Sequence, residues 1–156
     1  MSSEPKLPFH DVFTLTRLLK APPARVFAAF RDIDLKSKWF IAPGDYQIAE
    51  RSLDFRVGGK EVLRGKFDNG TTTSYDATYY DITDNERIIY AYDLLINGSR
   101  FSVTLATILF RAKDGGTELS FTEQNVYVNA PADAHASRIK GVAWHLDNLD
   151  QALRIK

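Results

Sequence analysis

Four turn signals divide the middle of the chain, at Asn69-Gly70, Asp84-Asn85, Asn97-Gly98 and Asp114-Gly115-Gly116, and the runs between them alternate apolar and polar residues. A period of two marks a strand with one buried face, and Asn or Gly at such points supplies the positive φ that a tight hairpin demands. The stretch therefore reads as a meander of antiparallel strands. In RIIYAYDLLI, one face takes Ile88, Tyr90, Tyr92, Leu94 and Ile96. The same count turns Phe101, Val103, Leu105 and Leu109 inward in the next run, with Thr107 among them. In TELSFTEQNVYV it selects Leu119, Phe121 and Tyr127, and places Glu123 and Asn125 on the same side.

The period changes on either side of the meander. From Ala132 to Ile155 the residues Ile139, Val142, Leu146, Leu149 and Leu153 recur three or four apart, the narrow seam of one long helix. Ahead of the meander, FTLTRLL predicts a first strand with Phe13, Leu15 and Leu19 on one face and Arg17 among them. It ends at Ala21-Pro22-Pro23. Proline costs little in the first turn of a helix, so PPARVFAAF predicts a helix that buries Val26, Phe27 and Phe30. Asp32 or Asp34 is placed to cap a second short helix containing Leu35, Lys36 and Lys38, closed by Trp39 and Phe40 before Pro43-Gly44. LDFRVGGKE predicts a strand with Leu53, Phe55 and Val57 on one side, stopping at a double glycine. A phosphate loop would open a helix and end in Gly-Lys-Ser/Thr, whereas Gly58-Gly59-Lys60-Glu61 runs on into Val62-Leu63; the pair is expected to be a backbone bend.

Composition narrows the classes of function. With 156 residues, 44% of them hydrophobic, the chain can bury one ordinary core. Residues 1–10, with two prolines, read as a loose arm, and 11–156 as a single domain. Twenty basic and twenty acidic residues give no net field to recruit nucleic acid or an anionic membrane. Without cysteine there is no disulfide, thiolate metal site or cysteine nucleophile. The N-terminus lacks the pattern of a signal peptide and no run approaches ~18 apolar residues, so a cytoplasmic protein without a membrane span is expected. His10, His135 and His145 are the only histidines, and no HExxH or Gly-x-Ser-x-Gly pattern occurs. Neither metal nor cofactor is expected, and no catalytic residue is assigned.

Taken in order, several short stretches carry a family resemblance. They are Ala21-Pro22-Pro23 with Val26-Phe27 and Phe30, Leu35 with Trp39-Phe40 and Pro43, Asp54-Phe55-Arg56-Val57-Gly58-Gly59, Glu86-Arg87-Ile88, Gly116-Thr117-Glu118-Leu119, and Gly141 with Leu146 and Leu149. From Phe13 to Leu153 the chain resembles the START or Bet v 1-like (SRPBCC) superfamily, and within it the branch homologous to the activator of Hsp90 ATPase. The resemblance implies an α+β helix-grip fold, a curved antiparallel sheet with two short helices after its first strand and a long C-terminal helix across it. It also implies a cavity between sheet and helix that takes a hydrophobic or aromatic small molecule.

Trp39, Phe40, Phe55, Tyr90, Tyr92, Phe101, Val103, Phe121 and Leu149 are the expected lining, although inward aromatics more often simply fill a core. Glu123 is too costly to bury alone, so it pairs with a cation or meets water or a ligand group. Arg17, Thr107 and Asn125 raise the same question less sharply. His145, on the flank of the helix seam, is either a cavity acid or base or, more commonly, a boundary histidine. Relatives often place a tryptophan directly after the helix glycine; here Val142 takes that slot. Trp144, about 160° from Leu146 around the helix, faces away from the core. It is a candidate contact for a second copy or another protein, or a surface ring lying on a neighbouring loop. The leading expectation is a non-catalytic binder of a small apolar molecule. A co-chaperone-like interaction module and a polyketide cyclase or dehydratase are the alternatives.

Overall fold

The computed structural model describes residues 7–155. Most of the expected arm lies outside them, and its last two residues, Phe9 and His10, already belong to the first strand. The elements are β1 (Phe9–Leu19), α1 (Pro23–Arg31), α2 (Ile33–Lys36), β2 (Tyr46–Leu53), β3 (Lys60–Phe67), β4 (Thr72–Thr83), β5 (Arg87–Ile96), β6 (Ser99–Lys113), β7 (Gly116–Tyr127) and α3 (Ala134–Arg154). The seven strands form one antiparallel sheet in the order β1-β7-β6-β5-β4-β3-β2. α1 and α2 carry the chain from one edge to the other, and the meander then returns strand by strand until β7 pairs with β1.

All four turn signals fall between strands. Asn97 and Gly98, like Asp114 and Gly115, have consecutive positive φ angles, the backbone of a tight two-residue hairpin whose twist matches the strands. Register shifts interrupt the ladders at Ile48/Glu50, Tyr79/Asp81 and Leu94/Leu95. Bulges of this kind bend a strand and increase its local twist, which is how the sheet cups around α3. The helix seam lies in that cup: Val142, Leu146, Leu149 and Leu153 are buried and Ile139 half-buried. At the other end of the same core, α1 buries Val26, Phe27 and Phe30, and the last two meet Phe110 edge-on at 5.3 and 5.4 Å.

Three local expectations are corrected. In β6 the inward face is Ser102, Thr104, Ala106, Ile108 and Phe110, while Val103, Leu105 and Leu109 stand exposed on the convex side and Thr107 points the same way. Apolarity chose the wrong phase because two of the buried positions are hydroxyl residues that serve a buried charge. The run at residues 53–59 stays a strand only as far as Leu53. Beyond it, Asp54 N–H bonds to Lys60 O at 2.8 Å and Gly59 N–H to Arg56 O at 2.7 Å, closing a loop in which Val57 is exposed. The double glycine is the expected bend. Gly58 has φ +82°, and a Cβ on Gly59 would stand 2.0 Å from the Asp54 carbonyl oxygen. At α2, Asp32 occupies the N-cap position, but its carboxylate binds Arg31 at 2.9 Å instead of the helix N–H groups.

Candidate functional site

Sheet and helix do not close on each other completely. Between them lies a cavity of about 350 Å³. Trp39 and Phe40, at the end of the α2 segment, form one wall; Leu63 and Phe67 of β3, Tyr75 of β4, and Tyr90, Tyr92 and Leu94 of β5 form the floor. Val142 and Leu146 of α3 roof it. Pro43, Ser137 and Gly141 line it while exposed to solvent, so the opening lies between the 41–45 loop and the first turns of α3.

Of the expected lining residues, Trp39, Phe40, Tyr90, Tyr92, Phe101, Phe121, Glu123 and His145 are at the cavity. Phe55, Val103 and Leu149 are not. Phe55 packs edge-on against Phe27 and Tyr79 at 5.6 and 5.0 Å, deeper under α1. Leu149 is fully buried in the core. Val103, 41% exposed, is on the convex face, because the bulge opposite Leu94 and Leu95 absorbs Phe101 and leaves the even-numbered residues pointing inward. Phe101 itself is half-buried and packs against Tyr127 at 6.2 Å. Arg17 stays part-exposed, 3.9 Å from Asp147. Trp144 is exposed on the outer side of α3, its ring tilted against His145 at 5.5 Å.

The polar groups form two buried clusters. In the first, Arg138 of α3 reaches Glu123 of β7 at 3.2 Å, and the Tyr92 hydroxyl donates to the other oxygen of that carboxylate at 2.7 Å. The guanidinium also donates to Tyr92 Oη, Asn125 Oδ1, Thr104 Oγ1 and Ser102 Oγ, which accounts for the hydroxyl residues inside β6. Desolvation pushes the Glu123 carboxyl above its ordinary range, while Arg138 and the Tyr92 hydrogen bond pull it back. In the second cluster, Lys36 Nζ lies 2.7 Å from Glu61 Oε1, and the Tyr79 hydroxyl donates to the same oxygen at 2.7 Å. Burial first, and the nearby carboxylates second, hold the phenols of Tyr75, Tyr79, Tyr90 and Tyr92 well above their ordinary range. They are neutral donors at any physiological pH.

His145 donates its Nε2 hydrogen to the Ile41 carbonyl at 2.8 Å, so the neutral ring carries its proton there. Burial lowers its pKa, and Lys36 and Arg51 push in the same direction. Among the described residues no group of His, Asp or Glu is placed to hold a metal ion, and no helix is long and apolar enough to cross a membrane.

Lys36, Glu61, Tyr75 and Arg138 escaped the reading of the sequence, although their positions carry a signal. Arg138 sits four residues before Val142, on the seam itself; Glu61 shares the inward phase of β3 with Leu63 and Phe67; Lys36 precedes Trp39 by one helical turn. A charged residue on an apolar stripe is ordinarily a break in the stripe, and nothing local shows that a partner waits across the core. Buried ion pairs are also poor stabilisers, since each ion loses several kcal/mol of hydration and an apolar replacement is often neutral or better.

A search of the curated proteins finds no match. Among solved structures, an uncharacterized protein from Rhizobium leguminosarum is 40% identical with a TM-score of 0.90, covering 96% of this chain and 98% of its own. The Mll3558 protein from Rhizobium loti is 32% identical with a TM-score of 0.86, over 94% and 99% of the two chains. CV1439 from Chromobacterium violaceum, 24% identical with a TM-score of 0.75 over 93% and 98%, shares the fold. Residues 20–154 match the model of the Activator of Hsp90 ATPase homolog 1-like family. With its helix-grip architecture and these relatives, the chain belongs to that family, within the START and Bet v 1-like (SRPBCC) superfamily.

Proposed function

We propose that this protein encloses a hydrophobic or aromatic small molecule between its sheet and α3, without chemistry on it. The observation that carries this reading is the cavity itself. Native interiors are packed as densely as organic crystals and leave few voids larger than a water molecule, whereas about 350 Å³ lies within the size range of small-molecule pockets. Its walls are mostly aromatic and aliphatic, with a few convergent polar groups to fix orientation, which is the ordinary make-up of a ligand site. The carboxylate that lines the cavity, Glu123, is held by Arg138 and Tyr92, and Glu61, behind Lys36, is held by Lys36 and Tyr79.

The chain has two tryptophans, so in a Trp144→Phe background Trp39 alone reports on the cavity wall. Titration with a panel of two- and three-ring aromatic compounds is expected to quench it saturably. Val142→Phe, which pushes a ring into the space from α3, is expected to weaken that binding at least tenfold. Absence of saturable quenching across the panel, or full binding to Val142→Phe, would sink the reading.

A further inference from the structure

We propose that the cavity selects an apolar acid, with the carboxylate of the ligand met by Lys36 and by the Tyr75–Tyr90 phenol pair; this preference rests on the cavity being a binding site. Two observations lead to it, one concerning protons and the other charge.

Three buried hydrogen-bond donors, Lys36, Tyr75 and Tyr90, line the cavity. An ammonium group has three N–H bonds. Lys36 spends one on Glu61 at 2.7 Å and one on Tyr79 Oη at 3.4 Å, and its Nζ stands 4.9 Å from the centre of the Phe40 ring at the cavity wall. Tyr79 and Tyr92 each give their proton to a carboxylate. Tyr75 and Tyr90 do not: both are more than nine-tenths buried and both line the cavity, yet among the described residues neither reaches a carboxylate or a backbone carbonyl. Their hydroxyls are neighbours. Two phenols have two protons and can use only one between themselves, so at least one O–H remains for the cavity. Among the described residues neither Glu61 nor Glu123 is hydrogen-bonded to these two hydroxyls. Glu61 Oε1 already takes Lys36 and Tyr79, and both Glu123 oxygens are taken by Arg138 and Tyr92. The partner these O–H groups lack is an acceptor, which a ligand in the cavity can bring.

The charges decide which kind of acceptor. Lys36, Arg138 and Glu123 line the cavity, Glu61 pairs with Lys36 from behind the wall and Arg51 reaches the wall at the Phe40 carbonyl, so three cations stand against two carboxylates at or beside it. The odd one is Arg51. It donates to the Phe40 carbonyl, immediately before the residue that His145 binds, and among the described residues no carboxylate lies within salt-bridge distance of it. A ketone or ether would satisfy the spare donors but leave this field uncompensated. An anionic oxygen answers both, and hydrogen bonds to an ionised acceptor are about twice as strong as neutral ones. Part of that gain is offset by stripping water from the acid, so a preference of about tenfold is expected.

The test compares 2-naphthylacetate with its near-isosteric neutral partner, 2-naphthylacetamide, by isothermal titration calorimetry at pH 7.5. The wild-type protein is expected to bind the acid about tenfold or more tightly than the amide. Lys36→Met combined with Glu61→Gln removes both buried charges together, so no ion is left orphaned; it is expected to reduce the acid's advantage over the amide, read as the ratio of their affinities for that variant, to threefold or less. Equal binding of acid and amide to the wild type overturns the acid preference alone, and this comparison stands whether or not the double variant folds. A folded double variant that keeps the full preference overturns the role given to Lys36. Failure of both probes to bind overturns the preference together with the cavity reading beneath it.

Discussion

Glu123 and Arg138 show most directly what one residue can cost. Their side chains are 2% and 9% exposed, and each is the other's only opposite charge within salt-bridge distance among the described residues. Removing one charge leaves its partner dehydrated and unpaired, a loss of roughly 3–5 kcal/mol. Glu123→Gln is therefore expected to lower the unfolding free energy in urea by about that amount. Glu123→Leu with Arg138→Met should cost clearly less than the single change, because no ion is then stranded. His145 makes a prediction about pH. Burial holds its folded-state pKa below the ordinary 6.5, so as pH falls the unfolded chain takes up a proton before the folded one does. Its contribution to stability is complete above about pH 6.5 and is lost between that value and the lower folded-state pKa. Urea midpoints measured at pH 7.5 and 5.5 should fall further for the wild type than for His145→Gln. Glu123 was legible beforehand because it interrupts an inward face of known phase. Lys36 and Glu61 were not, since neither announces its partner 25 residues away.

At the scale of elements, strong periodicity was a reliable guide and weak periodicity was not. The α3 seam and the inward faces of β5 and β7 follow the sequence pattern, each being set by several large apolar side chains in one phase. β6 misleads because both of its faces are rich in apolar residues, and the buried face near the cavity belongs to Ser102 and Thr104. A one-residue bulge reverses the assignment of every residue beyond it, and a bulge is chosen by strand pairing, not by composition. The α3 helix also carries a testable oddity in Gly141. A Cβ there would meet nothing within 4 Å, and the position lies well inside the helix. Glycine costs a helix interior about 0.5–1 kcal/mol relative to alanine. Gly141→Ala is expected to raise the unfolding free energy by that amount, read from a thermal or urea melt. A loss of stability would show that the rim of the cavity needs the space.

For the whole molecule, the order of elements, the four hairpin turns, the bend at Gly58-Gly59 and the family are all written along the chain. Each depends on neighbours a few residues apart, through side-chain period, proline and glycine geometry, or the residues that carry the resemblance. The cavity depends on something else. It arises from the angle at which a straight helix crosses a sheet bent by three bulges, and no window of sequence contains that angle. The same crossing brings Arg138 of α3 to Glu123 of β7, and Lys36 of α2 to Glu61 of β3, and it turns Phe55 and Leu149 into core instead of lining. Local pattern can place a side chain on a face. Which faces meet, and how much space stays between them, follows from packing across the fold, where curvature and volume are settled jointly by all the elements in contact.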